Sequence, residues 1–499
     1  MFRLKQLEID TQQEHVVFIH EDAVRAGNLG FRPLDRVRVI EAGGAQREIT
    51  GVLNFCGGAL LVSPDEVGLS AVAARDLGLP DGAMVHATLS PPPRSLDLVR
   101  RKLHGARLGQ PEFDAILRDV TQHRYSKVEL SMLVLACALR TLDHDELIAY
   151  TRAMIGTGTS LDLAAAPIVD KHCVGGVPGN RTTMIVVPIL AACGLTAPKT
   201  SSRAITSPAG TADTMAMLAD VALPPARLRE VVKSAGACIA WGGALDLAPA
   251  DDILITVERP MELDTEAQMV ASILAKKKSV GATHVLIDIP VGSTAKVRGA
   301  DAAHRLAQMF RNVAAAIALQ LDVIVTEARG PIGWGIGPRL EALDVLAVLR
   351  REPGAPVDLR EKSLYLAARL LEMVGAAPPA GGYRLAEDTL DSGKAAHAFE
   401  RIAAAQGARV LPPAAPYCEV MPAPADGRLR EMDCWQFARI AKYAGAPANS
   451  TAGVRLRRTV GDVIVRGEPL FEIHAQSEAQ LAFARAYAAE QRDLVRLGF

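Results

Sequence analysis

The spacing of hydrophobic positions changes along the chain, and each change indicates a different kind of element. In residues 1–90, short apolar runs (HVVFIH, DRVRVIEAGG and GALLVS) are bounded by Gly, Pro or Asp. Runs of this length and composition are typical of β-strands. We therefore predict a small, β-rich, barrel-like N-terminal domain over residues 1–90, with one short helix over residues 65–77.

Residues 94–158 have a helical spacing. Segments such as QPEFDAILRDVTQHRY and KVELSMLVLACALRTL place apolar residues three and four positions apart, which predicts amphipathic helices. Ser126, with Glu129 three residues later, has the pattern of a capping box at a helix start. The proline-rich stretch 90–93 before this segment is typical of a stiff linker. We predict a helical domain over residues 94–158.

Residues 159–350 alternate the two spacings. Strand-like runs such as THVLIDIPVG and LDVIVTEARG are separated by helical runs such as AAHRLAQMFRNVAAAIALQ. This alternation predicts a mostly parallel sheet with helices on its faces, in which ligands bind beyond the carboxyl ends of the strands. We predict connecting helices over residues 351–408 and a compact C-terminal α/β domain over residues 409–499, with a final helix from Ser477. The predicted fold class is therefore multidomain α/β.

The composition narrows the possible functions. The chain has 55 Lys and Arg against 56 Asp and Glu, a formal net charge of -1, which gives no sign of nucleic-acid or membrane binding. The N-terminus lacks the apolar region of a signal peptide, and no apolar run is long enough to span a bilayer. The seven cysteines are scattered, which favours free thiols in a reducing cytoplasm over a zinc site. His104, His123 and His144 are interpreted as surface or packing histidines, since no carboxylate or thiolate cluster accompanies them.

Two polar loops flank one apolar segment in the stretch DKHCVGGVPGNRTTMIVVPILAACGLTAPKTSSRAITSPAGTAD. Both loops combine Gly, which lets backbone amides approach a ligand, with hydroxyls and cations. That combination favours phosphate or another oxyanion over two ordinary turns beside a buried helix. The loop residues concerned are Lys171, His172, Gly175, Gly176, Gly179, Asn180, Arg181, Thr182, Thr183, Lys199, Ser201, Ser202, Arg203, Thr206, Ser207, Gly210 and Thr211.

A second group of polar residues follows in LDTEAQMVASILAKKK and VGSTAKV. If the first segment is a helix, Ser272 and Lys276 lie one turn apart on the same side. Asp264 stands at the start of that helix, where capping is the ordinary function of an Asp. The lysine run 276–278 by itself indicates a solvated helix end. Lys296 follows a strand-like run, and we expect it at the mouth of the same site.

From about residue 94 to the C-terminus, these motifs resemble the thymidine phosphorylase and AMP phosphorylase family of phosphorolytic pentosyltransferases. The segment DKHCVGGVPGN is similar to the family's phosphate loop. Two later segments of this chain, KTSSRAITSPAGTADTM and ASILAKKKSVGATHVLIDIPVGSTAKV, are similar to the family's substrate-contact segments. Residues 1–90 resemble the N-terminal extension of the AMP phosphorylase branch. The resemblance implies a helical domain and a large, mostly parallel α/β domain across a cleft, a C-terminal α/β domain, and a homodimer or larger homo-oligomer.

The resemblance also implies roles for individual residues. Lys171 and His172 match the family's phosphate-loop pair, and Asp264 corresponds to the proton donor to the departing base in the AMP branch. Such an acid needs a raised pKa, so we expect Asp264 to be partly buried. Lys276 joins the predicted substrate-binding set as the neighbour of Ser272. The residues that correspond to substrate contacts are Gly176, Ser202, Arg203, Ala204, Ile205, Thr206, Ser207, Thr211, Ser272 and Lys296.

The implied reaction transfers a pentose from a nucleoside, or from its 5′-phosphate, to inorganic phosphate and releases the free base. AMP is the predicted substrate for two reasons. Val257 occupies the position at which the pyrimidine branch has an Arg, with Arg259 two residues away, and the second loop lacks the more glycine-rich pattern of the thymidine enzymes. Thymidine is the alternative. Two other hypotheses are a catalytically silent nucleotide-binding protein, indicated only by Cys173 in place of a hydroxyl residue, and a phosphoribosyltransferase, which needs an acidic pair that these loops lack.

The resemblance further implies that the reaction uses no metal and no organic cofactor, with inorganic phosphate as the co-substrate. The expected partners are a small-molecule nucleoside or nucleotide and phosphate, without nucleic acid and without a membrane. Together with the cysteine usage, these expectations predict a cytoplasmic protein.

Overall fold

A computed structural model describes residues 1–27, 29–44, 46–58, 60–163, 165–204, 207–263 and 265–498 of the chain. The chain forms two compact units, Met1–Gly158 with Ala248–Ser272, and Thr159–Leu247 with Ile273–Phe499. It therefore leaves the first unit after Gly158 and returns to it at Ala248. Within the described ranges, no helix is both long enough and apolar enough to cross a membrane.

The N-terminal part of the first unit is a closed six-stranded barrel, as the sequence predicts. Its strands are β1 Phe2–Gln6, β2 Val16–His20, β3 Arg36–Glu41, β4 Glu48–Cys56, β5 Glu66–Leu69 and β6 Met84–Leu89. They pair in the order β1-β5-β2-β4-β3-β6, and β6 pairs with β1 to close the ring. Alternate side chains such as Val37 and Val39 of β3 point into the barrel and are fully buried.

Two local predictions in the barrel are wrong. Residues 66–69 of the predicted helix form strand β5, because they pair with β1 on one side and β2 on the other. The two barrel helices are α1 Glu21–Ala26 and α2 Ala71–Leu77, and Gly78 ends the second with a left-handed φ of 64°. In the run GALLVS, residues 60–61 form a turn and residues 62–63 have no regular secondary structure, so the predicted strand is absent from these described residues.

The remainder of the first unit is helical. Its helices are α3 Ser95–Leu103, α4 Gln110–Thr121, α5 Lys127–Leu139, α6 His144–Thr157, and α10 Pro249–Met261 from the returning segment. The capping box at the start of α5 is confirmed, since the amide and the hydroxyl of Ser126 both donate to Glu129 Oε2 at 2.8 Å. Inside this helical part, Lys102 and Glu146 form a fully buried ion pair at 2.7 Å.

The second unit contains the predicted parallel sheet. Its strands are β7 Val169–Cys173, β8 Ala197–Ser201, β9 Ala237–Trp241, β10 His284–Val291 and β11 Gln320–Glu327. They form two parallel groups, β11-β10-β7 and β8-β9, which a parallel bridge between Ile168 and Thr196 joins. The helices around them are α7 Thr183–Ala192, α8 Thr211–Met215, α9 Pro225–Ala235, α12 Ala300–Ala316, α13 Pro338–Arg350, α14 Val357–Met373, α15 Gly382–Asp391 and α16 Lys394–Gln406; α11 Glu266–Ser279 begins in the first unit and ends in the second.

The apolar segment between the two polar loops forms the centre of this sheet's core. Met184, Ile185 and Val186 on α7 are completely buried. They share one hydrophobic cluster with the helices of residues 357–406, so the predicted connecting helices pack on the same core as the sheet. Because α7 is fixed on both sides, the loops at its two ends start from rigid positions.

The C-terminal part of the second unit has two antiparallel sheets and two helices. The strands are β12 Gly335–Ile336, β13 Tyr417–Pro422, β14 Gly427–Met432, β15 Gly453–Leu456, β16 Val463–Ile464, β17 Pro469–Ala475 and β18 Val495–Gly498. They pair in the orders β12-β15-β17-β13 and β16-β14-β18. The helices are α17 Cys434–Tyr443 and α18 Glu478–Glu490, and the predicted final helix is confirmed, with Ser477 as its cap.

Candidate functional site

Three loops follow the carboxyl ends of parallel strands in the second unit. Residues 174–182 follow β7, residues 202–210 follow β8 and residues 292–299 follow β10. Strand β7 pairs in parallel with β10, and a parallel bridge joins the residue before β7 to the residue before β8. The three strands therefore run in the same direction, and the loops that follow them lie at one edge of the sheet. The predicted anion-binding loops are therefore neighbours in space, as the strand alternation indicates.

A buried carboxylate holds two buried lysines beneath these loops. Asp170 on β7 accepts hydrogen bonds from Lys277 Nζ at 2.6 Å and from Lys199 Nζ at 3.3 Å. The Asp170 side chain is fully buried, and those of Lys277 and Lys199 are 2% and 5% exposed. Burial lowers the pKa of Lys277, while Asp170 opposes this shift and Lys199 adds to it. Asp170 supplies one negative charge for two lysines, so an anion at the loops above would favour the protonated form of Lys277.

His172 lies two residues beyond Asp170, on the same face of β7 and closer to the loop. Its ring is partly exposed. Loss of hydration lowers the pKa of this imidazole well below its usual value, and the charges of four lysines lower it further. The ring is therefore neutral at physiological pH and offers one N–H donor and one lone pair. The four lysines are Lys199, Lys277, Lys171 and Lys296.

Lys171 lies on the other face of β7 and braces the first loop. Its buried Nζ donates to Thr182 Oγ1 at 2.8 Å, and Thr182 donates to Asn180 Oδ1 at 3.3 Å. Asn180 completes the chain by donating to Cys173 Sγ at 3.3 Å. Burial raises the pKa of the Cys173 thiol, so this sulfur is a protonated hydrogen-bond acceptor. Cys173 therefore has a partner of its own in the loop and gives no support to a silent protein.

Gly176 and Lys296, two predicted substrate contacts, are in direct contact through their backbones. A Cβ atom at position 176 would lie 2.3 Å from the Lys296 amide nitrogen, and Gly176 has a φ of +85°. Only glycine fits this position, because it tolerates both the contact and the conformation. Lys296 itself is exposed at the end of the third loop. The first and third loops are thus held at a fixed separation.

Replacing Gly176 by Ala is expected to lower kcat/KM by about 10²-fold, since a shift of about 1 Å in a binding loop can have that effect. Gly175→Ala is the matched control: φ at Gly175 is +93°, but a Cβ there meets nothing within 4 Å. Both variants carry the backbone strain and only one carries the clash. Steady-state kinetics should therefore show less than about a tenfold loss for Gly175→Ala. Equal losses in the two variants would refute a role for the contact.

Asp213 organises the second loop. Its carboxylate accepts hydrogen bonds from the Ala204 amide at 2.6 Å, from the Gly210 amide at 2.9 Å and from Arg203 Nη1 at 3.3 Å. The guanidinium of Arg203 also lies 5.1 Å from the ring centre of Trp241. The amide of Ala204 is therefore directed at Asp213, whereas Arg203 is half exposed and able to reach a ligand.

Arg181 connects the first loop to the second. Its guanidinium donates to Thr211 Oγ1 at 3.0 Å, to the Ala209 oxygen at 2.9 Å, and to the fully buried carboxylate of Glu341 on α13. Thr214 Oγ1 donates to the same Glu341 carboxylate at 3.2 Å. Arg181 and Thr211 are therefore bonded to each other, and both act as connections between the loops.

The other predicted site residues are placed as follows. Ser202 is exposed, and Ser207 Oγ donates to the Ala209 oxygen at 2.9 Å. Ser272 and Lys276 are partly buried and one turn apart on α11. Asp264, Ile205 and Thr206 lie outside the described residues, so the expected capping and burial of Asp264 stay predictions.

Val257 is a core residue of α10 in the first unit. Its side chain is 4% exposed, whereas Arg259 is exposed on the same helix. A buried valine at this position packs inside the helical part of its own unit. The inference from Val257 to an AMP substrate therefore has no support from the placement of this residue.

Sequence reasoning missed the buried acids Asp170, Asp213 and Glu341, and it interpreted Lys277 wrongly as part of a solvated helix end. Lys277 follows Ile273 by four positions, so the helical period places it on the buried side of α11. That spacing could have identified it. Nothing in the sequence links Asp170 to Lys277, or Glu341 to Arg181, because each pair is joined only by the fold.

Three family models match the chain. Residues 96–158 match the helical bundle domain of a glycosyl transferase family, and residues 165–396 match the a/b domain of the same family. Residues 428–492 match the pyrimidine nucleoside phosphorylase C-terminal domain. The matched ranges correspond to the helical part of the first unit, the parallel sheet with its helices, and the C-terminal sheets.

Several curated relatives are similar over nearly their whole length. A protein of Polaromonas sp. strain JS666, named "Putative thymidine phosphorylase", is 49% identical over 99% of this chain and 96% of its own length. A protein of Hahella chejuensis with the same name is 45% identical over 99% of this chain and 97% of its own. Among solved structures, anthranilate phosphoribosyltransferase from Thermus thermophilus has a TM-score of 0.52 and 21% identity, covering 62% of this chain and 99% of that one. The last similarity concerns the fold alone.

Proposed function

The chain belongs to the thymidine phosphorylase and AMP phosphorylase family, and we propose that within this family it cleaves thymidine with inorganic phosphate. The family membership makes it a pentosyltransferase that acts on a nucleoside and phosphate. The proposed products are thymine and 2-deoxyribose 1-phosphate. The observation that carries this proposal is the similarity, over nearly their whole length, of relatives named "Putative thymidine phosphorylase".

The predicted preference for AMP is corrected here. It depended on the missing Arg at position 257 and on a second loop that is less rich in glycine than in the thymidine enzymes, and Val257 is buried in α10. The match to a pyrimidine nucleoside phosphorylase domain over residues 428–492 also favours the pyrimidine alternative. AMP remains a substrate to be tested against thymidine, and no longer the main hypothesis.

Phosphate binds, in this proposal, at the three loops of the second unit. The support is electrostatic: Lys171, Lys199 and Lys277 are buried beneath the loops, while Lys296 and Arg203 are exposed on them. A phosphate oxygen attacks C1′ of the deoxyribose, the C1′–N1 bond breaks, and its electron pair leaves with the base. Fixed cations hold the nucleophile in line, an effect worth several kcal/mol.

His172 is the proposed hydrogen-bond donor to the departing base. A thymine leaving group delocalises the electron pair onto the carbonyl oxygens attached to its ring, so a neutral N–H donor can stabilise it. The lysine-rich surroundings that lower the pKa of His172 support this neutral form. Asp264, the donor implied by the AMP branch, is kept as the second candidate, and variants of the two residues separate the roles.

Phosphate is the only co-substrate in this proposal, and no metal or organic cofactor takes part in the reaction. The remaining substrate contacts in this proposal are the residues that the family resemblance implies. Four of their described side chains are at least partly exposed: Ser202, Ser207, Ser272 and Lys276. We further propose a homodimer or larger homo-oligomer in the cytoplasm. The alternative of a phosphoribosyltransferase has only the shared fold in its favour.

Product analysis tests the proposed function. Purified protein incubated with thymidine and phosphate should release thymine and form 2-deoxyribose 1-phosphate in equal amounts, without magnesium. Removing phosphate should stop the reaction. Base release without phosphate would indicate a hydrolase, a requirement for magnesium and diphosphate would indicate a phosphoribosyltransferase, and no release from any nucleoside or nucleotide would support a silent binding protein.

A further inference from the structure

Three side chains that can ligate a metal meet between the barrel and the helical part of the first unit. His15 precedes β2 and Asp76 lies on α2, while His123 follows α4. His15 Nε2 is 3.0 Å and His123 Nε2 is 3.9 Å from the same Asp76 oxygen, Oδ2. One ligand atom from each residue lies within 4.8 Å of the other two. The sequence analysis interprets His123 as a surface or packing histidine because no carboxylate or thiolate cluster accompanies it along the chain, and only the fold brings Asp76 close to it.

Backbone carbonyl groups fix the tautomer of both rings. His15 Nδ1 is 3.2 Å from the Thr50 oxygen, and His123 Nδ1 is 2.9 Å from the Gln13 oxygen. A carbonyl only accepts hydrogen bonds, so both Nδ1 atoms carry a proton. In a neutral imidazole the other nitrogen then has a free lone pair. A carbonyl that holds Nδ1–H is also the usual way in which proteins orient an imidazole for ligation through Nε2.

The facing atoms of the three residues are therefore all electron-pair donors. Two Nε2 lone pairs and a carboxylate oxygen repel one another unless a positive charge lies among them. One proton can bridge His15 to Asp76 at 3.0 Å, but His123 Nε2, at 3.9 Å from Asp76 Oδ2, is then beyond hydrogen-bonding distance of the carboxylate. Protonating both rings places two cations in a stack whose ring centres are 4.3 Å apart. A single divalent ion satisfies all three groups together.

We propose that His15, Asp76 and His123 bind a divalent transition-metal ion of the zinc type, which fastens the barrel to the helical part of the first unit. Bonds of about 2.0–2.1 Å in tetrahedral geometry separate neighbouring ligand atoms by about 3.3 Å. The two Nε2–Oδ2 distances lie on either side of this value. The lone pair of each Nε2 lies in the plane of its ring, so two stacked rings do not point at one ion. When the metal binds, the rings of His15 and His123 must therefore tilt away from each other, pivoting about their Nδ1–H hydrogen bonds.

The site is open on one side. The Asp76 side chain is 31% exposed, that of His123 is 17% exposed, and that of His15 is 5% exposed. An ion can therefore enter from solvent at the carboxylate, and water can supply the fourth ligand. The surrounding contacts also join the barrel to the helices: Lys127 donates from its amide to Glu14 at 2.8 Å and from Nζ to the Gln12 oxygen at 2.7 Å. The ion would strengthen this connection, which suits a structural role.

A second group, Cys418, Glu472 and His474, also brings three possible ligands together. Here two nitrogens of Arg457, Nε and Nη2, both donate to Oε1 of Glu472, so two hydrogen bonds hold a cation on this carboxylate. At the first group, the described cation Arg75 donates to Oδ1 of Asp76 through one nitrogen only, at 3.1 Å, and its side chain is 67% exposed. The first group is the better metal site, and the second provides a control.

Zinc titration of untagged, chelator-treated full-length protein tests the proposal, with a chromophoric chelator as competitor. The wild type should bind about one zinc per chain, and zinc should raise the thermal midpoint by at least about 2 °C. His123→Gln and Asp76→Asn should each weaken this binding at least about tenfold. Each variant should keep its circular dichroism spectrum and phosphorolytic activity, which separates loss of the site from loss of the fold.

The control is the double variant Cys418→Ser with His474→Gln. It should bind zinc with wild-type affinity and show the same rise in thermal midpoint. Zinc binding that survives both His123→Gln and Asp76→Asn would overturn the proposal, as would a wild-type protein that binds none. Zinc lost only in the control would assign the metal to the C-terminal group and overturn it as well.

Discussion

Asp170→Asn is expected to lower the free energy of unfolding of the second unit by about 3–5 kcal/mol, the usual effect of removing one partner from a buried ion pair. The carboxylate of Asp170 is fully buried between Lys199 and Lys277, whose side chains are almost inaccessible to solvent. Without it, the two buried lysines lose the counter-charge that they share. Urea denaturation followed by circular dichroism measures the loss.

Two further variants make this prediction specific. Asp301→Asn, at the exposed start of α12, has the same chemistry without the buried partners and should change stability by no more than about 0.5 kcal/mol. Adding Lys277→Met to Asp170→Asn should restore part of the loss, because it removes one of the two uncompensated charges. If Asp170→Asn and Asp301→Asn have the same free energy of unfolding, the ion pairs of Asp170 with Lys199 and Lys277 do not stabilise the second unit.

His172→Ala is expected to lower kcat for thymidine phosphorolysis by about 10²–10⁴-fold, the range for loss of a proton-transfer or hydrogen-bonding group at the reaction centre. The effect should fall on kcat more than on KM, because the hydrogen bond strengthens as charge develops on the base. His304→Ala, on the exposed side of α12, is the matched control and should be indistinguishable from wild type. Asp264→Asn measures the competing role: a loss in Asp264→Asn with wild-type kcat in His172→Ala would return the donor function to Asp264.

The expected pH dependence of kcat and of stability follows from the lowered pKa of His172. Burial and the adjacent lysines hold the pKa of His172 well below its usual value. With phosphate saturating at each pH, protonation of this histidine should therefore cause no change in kcat between about pH 6 and 8. An ordinary histidine titrates at about pH 6.5. In the unfolded chain His172 takes up a proton as the pH falls through about 6.5, while in the folded protein it does not, so acidification lowers stability in this range. A kcat that falls with an apparent pKa near about 6.5 in wild type, and not in His172→Ala, would contradict the neutral ring.

The elements that the sequence predicted well are those whose pattern is local. The capping box of Ser126 and Glu129, the final helix from Ser477 and the central strands of the sheet all follow from spacing alone. Strand β5 was misread as helix because its pairing with β1 and β2, which are distant in sequence, decides its conformation. Tertiary pairing overrides local propensity in such short segments.

The site was predictable to the level of its loops. Gly176 and Lys296 were expected near one another, and their backbones are in contact. The partner of each buried cation was not predictable, since Asp170 lies 107 positions from Lys277 along the chain. The substrate was not predictable from one residue, since Val257, which the resemblance places in the binding site, is buried in the helical part of the first unit.

The most direct test of the central claim is the ratio of kcat/KM for thymidine to that for AMP, measured with the same protein at one saturating phosphate concentration. Our account predicts a ratio of at least about 10², with thymine as the released base, because recognition of base and sugar discriminates on this scale. Adenine release from AMP, with thymidine left intact, would contradict the account and restore the nucleotide phosphorylase hypothesis.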